Sequence, residues 1–465
     1  MNRLSSVIVN SVELFVRQGT GIRTFSRSVV AALAGSESFS LDLLVSTASE
    51  TGSGILAGSN ILQKHKKNSR LPKVFSVLRV KLKHYISLPF WPAVVKLQRV
   101  PAEHPLHNAI LDKCLEEATR DYLSHANNES QVIRTKHRGF LYAKNLFEDA
   151  QVSFKLNRSL VRLSLPRSMR SGRDDRIVFH SPLPYPVLVD GCVNITTIHD
   201  LIPVSHPDLC LDDPAYFYDL VDSLLDSCQG IHCISRYTAD QIDRFFGSKA
   251  AKKLFVAHQP IPLAHLNHDF EVNALRRYRA RHLPSSGEGK YILQVGSIEP
   301  KKNHSTTLEA FRRLREKDSS LRLVIIGKPG WLTEDLCDYL ATAKPDGIEW
   351  LRAASFGTLV RYMQSASAVV FPSLVEGWGL PPLEAMSHGV PVVASPIPPC
   401  KEACESAALY ITNPLDSISL SRHIDDVINN PDYAEDLIRK GFGQAKRYNA
   451  RQFASDLLKG YSRVC

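Results

Sequence analysis

The chain has 465 residues, more than one ordinary hydrophobic core accommodates, so two or three domains are expected. Its 44% hydrophobic and 22% charged residues are those of a globular protein, and no run of 18 apolar residues exists, which excludes a spanning helix. The formal charge of +10 is unevenly placed, and the nine cysteines contain no C-x-x-C pair, so reduced thiols are expected rather than a disulfide framework or a zinc site.

The opening stretch SSVIVNSVELFVRQGTGIRTFSRSVVAALAG reads as a strand, a glycine-containing loop and a helix, the first βα unit of a nucleotide-type fold. Gly19 and Gly21 fill two positions of a dinucleotide fingerprint but Thr24 stands at the third, so a ligand loop and a mere tight turn both fit. The longest apolar run before Asn10 is the three residues 7–9, too short for a secretory core, and export is not expected. Between residues 51 and 102 stand ten Lys or Arg and no Asp or Glu. Val74, Phe75, Leu78, Leu82, Tyr85 and Ile86 recur at three and four residues, as on an amphipathic helix, although Pro72, Pro89 and Pro92 interrupt the region. Such a block suits an anionic membrane surface, a lipid-diphosphate acceptor or nucleic acid, and equally a basic insertion packed on its own domain. Residues 102–173 are polar, expected to be helical in parts, and carry no recognisable chemistry.

Strands are predicted at IVFHS (177–181) and in CVNITTIHDLIP (192–203), the second ending in His199 and Asp200. The C-terminal end of a strand is where α/β sheets place ligands, so a site role is favoured over the usual structural one for a lone histidine. His206, seven residues on, reads as structural. GIHCIS (230–235) runs into the helix RYTADQIDRFF, with Ser235 or Thr238 as its N-cap. The Ser-, Gly- and Pro-containing ARHLPSSGEGK (280–290) is the expected linker.

A second α/β run follows, with strands YILQVGS, LRLVIIG, IEWLRA, AVVFPS and PVVAS between helices, which predicts a parallel sheet covered on both faces. In VGSIEPKKNHSTTLEAF, Lys301 and Lys302 stand between a strand and a helix, where two cations can neutralise a diphosphate. In FPSLVEGWGLPPLEAMSHGVP, Glu376 and Glu384 bracket a glycine turn, after which Pro381 and Pro382 open a helix with Glu384 in its first turn. A helix start favours an anion, whereas carboxylates accept from sugar and ribose hydroxyls, so the combination suits a nucleotide sugar. The plain alternative is an acidic first helical turn with no ligand. Cys400 and Cys404, four apart, read as packing, and no metal site is evident.

Glu376-Gly-Trp-Gly-Leu-Pro-Pro-Leu-Glu384-Ala-Met, continued by Gly389-Val-Pro391, resembles the glutamate-x7-glutamate signature of retaining glycosyltransferases of family 4, in the GT-B superfamily. TTIHDLIPVSHPDL and the Glu-Pro-Lys-Lys-Asn stretch are similar to the mannosyltransferase-like members. The resemblance implies that Glu376 lies by the donor sugar, Glu384 binds the ribose, Gly379 and Leu380 face sugar and diphosphate, and His199, with Asp200 beside it, approaches the sugar. It also implies that Lys302, and Lys301 where relatives carry arginine, bind phosphate, and that the loop of Gly19 and Gly21 reaches toward the diphosphate or acceptor. Glu405 departs from the pattern, since the family often has glycine there.

The expected architecture is GT-B: two Rossmann-like domains facing each other across a cleft. Residues 1–280 would form the acceptor domain with a basic insertion at about 51–175, residues 281–446 the donor domain, and residues 447–465 a helix packing back on the first domain. The expected activity is metal-independent transfer of a sugar, mannose, from GDP-mannose to a glycan or lipid-linked glycan of a surface polysaccharide. No further cofactor and no nucleic acid are expected as partners. The enzyme would work in the cytoplasm, touching the inner face of the plasma membrane through basic residues 64–99. Two rival classes are a non-catalytic basic protein binding nucleic acid or membrane, and a nucleotide-sugar oxidoreductase or epimerase. The second would need a complete G-x-G-x-x-G and a Tyr-x-x-x-Lys pair, which Tyr448 and Tyr461 do not supply.

Overall fold

Short β-branched runs alternating with helix-period segments fold here into two parallel sheets with helices on both faces. The computed structural model describes residues 3–10, 21–34, 39–47, 94–96, 98–100, 137–144, 146–165, 169, 175–250, 252–262 and 290–465. Gly19, the basic and amphipathic stretch 51–93 and the linker up to residue 289 lie outside them.

The first half contributes strands β1 (Arg3–Asn10), β2 (Ser40–Thr47), β3 (Val94–Lys96), β4 (Gln98–Val100), β5 (His137–Lys144), β6 (Val161–Ser164), β7 (Asp175–Ser181), β8 (Val187–Asp190), β9 (Val193–Ile198), β10 (Gly230–Cys233) and β11 (Leu254–Val256). Eight of them form a sheet in the order β11-β10-β9-β7-β1-β2-β5-β4, parallel apart from β4 on β5, while β3, β6 and β8 make a small separate sheet. Residues 102–173 thus hold strands as well as helix: the apolar run 139–143 is short enough for either, and pairing with β2 makes it strand.

The second half contributes β12 (Tyr291–Val295), β13 (Arg322–Ile326), β14 (Ile348–Leu351), β15 (Ala368–Phe371), β16 (Val392–Ala394) and β17 (Leu409–Tyr410). Their order is β14-β13-β12-β15-β16-β17, all parallel. The chain winds outward from β12 to β14 and then returns to the other side of β12 at β15. That reversal is a topological switch point, the place where open α/β sheets leave a crevice for ligands beyond the strand ends. The loops leaving β12 and β15 are those carrying Lys301, Lys302 and Glu376.

The helices that frame the site are α1 (Gly21–Ala34), α2 (Leu146–Asn157), α3 (Pro214–Ser227), α4 (Arg236–Phe246), α5 (His304–Lys317), α6 (Glu334–Thr342), α7 (Phe356–Ser365), α8 (Leu380–Ser387), α9 (Pro398–Cys404), α10 (Ser417–Asn429), α11 (Pro431–Arg447) and α12 (Ala450–Val464). Of the two cap candidates for α4 it is Ser235 whose hydroxyl accepts from the Thr238 amide at 3.0 Å. One apolar cluster runs from Val7 and Phe25 through Tyr448, Phe453 and Tyr461 to Leu293, Val369 and Trp378, so the two sheets share a continuous core. Cys400 and Cys404 are both buried in it.

Helix α12 packs on the first sheet. A methyl group at Gly460 would collide with the Phe255 ring, so the helix sits as close as a bare backbone allows. Its Tyr461 ends a buried chain of hydrogen bonds whose direction follows from its other end. The Ala257 carbonyl can only accept, so His232 Nε2 carries the proton of their 2.8 Å bond. His232 Nδ1 therefore accepts from Thr197 at 2.9 Å, Thr197 accepts from His180 Nε2 at 2.8 Å, and His180 Nδ1 accepts from the Tyr461 hydroxyl at 2.6 Å. Both imidazoles are neutral Nε2–H tautomers. Burial above all else pushes the His232 pKa down to about 3 and holds His180 well below the usual range, in keeping with that arrangement.

Candidate functional site

After β12 the chain makes a single tight turn, Pro300–Lys302, and leaves it through Asn303 at φ 54°, a left-handed conformation asparagine tolerates better than most residues. The turn is stapled to the loop that follows β15. Lys301 O accepts from the Leu374 amide at 2.8 Å, Gln294 Nε2 holds Lys302 O at 2.9 Å, and Asn303 Nδ2 donates to Pro372 O at 2.9 Å and Pro414 O at 2.6 Å. These backbone ties bring Lys302 Nζ to 2.5 Å from Glu376 Oε1, with the two side chains only 16% and 13% exposed. Lys301 Nζ lies 3.5 Å from Glu299. Burial favours its neutral form, but the carboxylates of Glu299, Glu376 and Asp200 outweigh that and raise its pKa, so it remains a cation.

Glu376, Gly377, Trp378 and Gly379 are the second half of the loop, residues 372–379, between β15 and α8. The helix begins at Leu380, ahead of Pro381 and Pro382, because proline is tolerated in a first turn whose N–H groups have no intrahelical acceptor. Two consequences follow. The prolines remove two N–H donors, leaving an anion the amides of Gly379 and Leu380 rather than a full first turn. Glu384 falls in the second turn, not the first as its place after the prolines suggested, and is buried there. Burial pushes its pKa up to about 8, so its carboxyl is predominantly neutral at pH 7.

His199 and Asp200 leave the C-terminal end of β9. His199 Nε2 donates to Pro182 O at 2.8 Å, a carbonyl with no proton to give, so Nδ1 is the ring nitrogen with the available lone pair. Phe25 of α1 meets the ring edge-on at 4.8 Å between centroids. His199 and Asp200 are both partly exposed at the strand end. Burial lowers the His199 pKa to about 4, against the bond to Pro182, so the imidazole is neutral. Asp200 is shifted upward by burial and by Glu376, opposed by Lys301 and by its 3.0 Å bond from the Ile202 amide.

The two strand-end motifs meet. A Cβ on Gly377 would be driven into the His199 carbonyl oxygen and would lie 2.9 Å from Asp200 Cβ, so only glycine permits this approach. Ser235 Oγ donates to Gly377 O at 2.8 Å and Thr238 Oγ1 donates to His199 O at 2.9 Å, riveting both backbones to the start of α4. His199, Asp200, Lys301, Lys302 and Glu376 thereby face one region between the sheets. Gly21 opens α1, whose Phe25 touches His199, whereas Gly19 is outside the described residues. His206 is exposed and bonded to Ser205, as a structural residue would be. Reading the sequence reached Ser235 and Thr238 only as caps and missed Glu402 and His258, which carry no local signal. Among the described residues no three His, Cys, Asp or Glu gather as metal ligands, and no helix is long and apolar enough to cross a membrane.

Comparison with known proteins bears on this arrangement. Residues 278–444 match the family described as glycosyl transferases group 1. The chain is 28% identical over 297 residues to the O-antigen chain mannosyltransferase B of Escherichia coli, covering 61% of this chain and 74% of that one. It is 25% identical over 232 residues to the serotype-specific mannosyltransferase WbdA of Escherichia coli, covering 48% of this chain but only 28% of that longer protein. In structure it is similar to sucrose-phosphate synthase from Thermosynechococcus elongatus, with a TM-score of 0.58 at 15% identity over 99% of each chain. The chain is a glycosyltransferase of GT-B fold, and its residues 278–444 are a glycosyl transferases group 1 domain.

Proposed function

We propose that the protein transfers mannose, with retention of anomeric configuration, from GDP-mannose to a glycan or lipid-linked glycan acceptor in surface polysaccharide synthesis. The observation that carries this reading is the Lys302–Glu376 pair, held at 2.5 Å over the switch point of the second sheet. It offers one ligand a cation for its diphosphate and a carboxylate for its sugar hydroxyls. Mannose is supported by what the two Escherichia coli relatives are named for. During transfer, positive charge develops at the anomeric carbon and negative charge on the departing diphosphate. Lys302, Lys301 and the amides of Gly379 and Leu380 stabilise the departing charge without a metal ion. Glu376 orients the sugar, the neutral carboxyl of Glu384 both gives and accepts a hydrogen bond at the ribose diol, and neutral His199 presents Nδ1 as an acceptor with Asp200 beside it. Residues 1–280 form the acceptor domain, 281–446 the donor domain and 447–465 the return to the first. The protein works in the cytoplasm, meeting the inner face of the plasma membrane through basic residues 64–99.

A thermal-shift panel with GDP, UDP and ADP, each with and without Mg²⁺, tests the donor site. Stabilisation by GDP alone, independent of Mg²⁺ and lost in Lys302→Ala and Glu384→Ala, is the expected result. Equal response to all three nucleotides, or to none, would overturn the assignment. Proton NMR of the product anomer then decides between retention and inversion.

A further inference from the structure

A carboxylate from the second domain occupies the start of a first-domain helix. Glu402, on α9, accepts from the Arg236 amide at 2.7 Å and from the Tyr237 amide at 3.0 Å, the first two N–H groups of α4. The third, Thr238 N, is taken by the helix's own Ser235. A helix end normally fills such groups from its own chain vicinity or from water, and here two of the three depend on a residue about 165 positions away. The same carboxylate lies 2.7 Å from His258 Nε2, with side-chain exposures of 22% and 16%. His258 in turn packs against Trp378 at 5.0 Å and Tyr448 at 5.5 Å between ring centroids. Burial alone would raise the Glu402 pKa, but His258 and the two amides outweigh it and hold the group ionised.

Beside this cap the same helix start holds Gly377 O through Ser235 and His199 O through Thr238. The bonds from Glu402 and from Gly377 O cross between domains, and they converge on one turn of α4. We infer that the N-terminus of α4 is the socket into which the second domain docks, with Glu402 and Ser235 as positioning residues that set Glu376 opposite His199 and Asp200. Neither residue need touch donor or acceptor; both act through the register of the Gly377 backbone. The inference rests on the reading of the cleft as the donor site only for its consequence in catalysis, since the docking itself is a property of the chain alone.

The full-length protein with Glu402→Ala and Glu402→Gln tests it by two measurements that need no substrate. Hydrogen exchange of the peptide opening α4 should accelerate at least tenfold at Arg236 and Tyr237 in Glu402→Ala and be partly restored in Glu402→Gln, whose amide oxygen can still accept. Small-angle scattering should show a larger radius of gyration for Glu402→Ala without nucleotide. GDP should bind the variant within twofold of the parent, because the group lies outside the proposed donor site. Unchanged exchange and unchanged scattering would overturn the inference, as would loss of nucleotide binding in Glu402→Ala by a protein whose exchange elsewhere is normal. If the parent itself binds no nucleotide, the proposed function fails, and exchange and scattering still decide the docking role.

Discussion

Replacing Glu384 by Gln separates the charge of this group from its shape. The carboxyl is buried, and its pKa rises from 4.5 to about 8 on folding. The sign follows from proton counts. Between those two values the folded state holds a proton that the unfolded state has released, so stability falls as pH rises through this window and is level above it. At 1.36 kcal/mol per pH unit the full fall is ~5 kcal/mol, a ceiling that structural relaxation and water penetration bring to roughly 2–3 kcal/mol. Glutamine has nearly the same shape and no titration, so the variant should match the parent near pH 5 and exceed it near pH 8.5. For a domain of this size the difference is roughly 5–10 °C in Tm. Melting both proteins in parallel from pH 5 to pH 9, without ligand, and plotting the difference removes every other titrating group from the comparison. A difference flat across that range would show that Glu384 is already ionised at neutral pH. The idea that a neutral carboxyl engages the ribose diol would then be wrong.

Lys302→Ala should lower kcat by about a hundredfold or more if the ammonium stabilises the departing diphosphate, with far-ultraviolet circular dichroism showing a folded protein; an active variant would remove Lys302 from the mechanism. The parallel loss of its pair with Glu376 should lower stability as well, and the double variant Lys302→Ala/Glu376→Ala should recover part of that loss, because a carboxylate is no longer left largely covered without its cation. Tyr461→Phe should cost about 1–3 kcal/mol, since it strands the Nδ1 acceptor of buried His180, and nitrogen-15 NMR of the parent should report Nε2–H tautomers at both His180 and His232. An Nδ1–H tautomer at either would break the assigned direction of the chain. Glu405→Gly should raise Tm: the residue sits at φ 46°, ψ −125°, where a side chain is strained by ~1–3 kcal/mol. Against this stand the exposed bridge to Arg447, worth under ~1 kcal/mol, and the greater freedom of glycine in the unfolded chain, ~0.4–1 kcal/mol.

Glu405 also shows what kind of information a single sequence holds. Its departure from a family glycine was visible as a mismatch of letters, but only the backbone angle turns that mismatch into strain and gives it a sign. Features that depend on nearest neighbours were legible: the strand cores of the second sheet, the α4 helix with its cap narrowed to Ser235 or Thr238, and the strand-end placing of His199 and of Lys301 and Lys302. The start of α8 was misplaced by one residue because two prolines in a row read as an opening, when they are merely tolerated inside a turn that begins at Leu380. What was not legible are pairings whose partner is a backbone group far along the chain. Lys302 meets Glu376 across 74 residues because amides and carbonyls of the two loops are tied first, and the side chains follow. Glu402 looks in the sequence like any solvated glutamate on a short helix, and its role exists only because another domain brings two unfilled N–H groups to it. A carboxylate can cap any helix start, so nothing in its own neighbourhood distinguishes it. The motif glutamates differ from Glu402 in this respect. A ligand site that must approach the backbone needs glycines and prolines nearby, which leave a local trace, whereas a domain contact needs only an acceptor at the right distance.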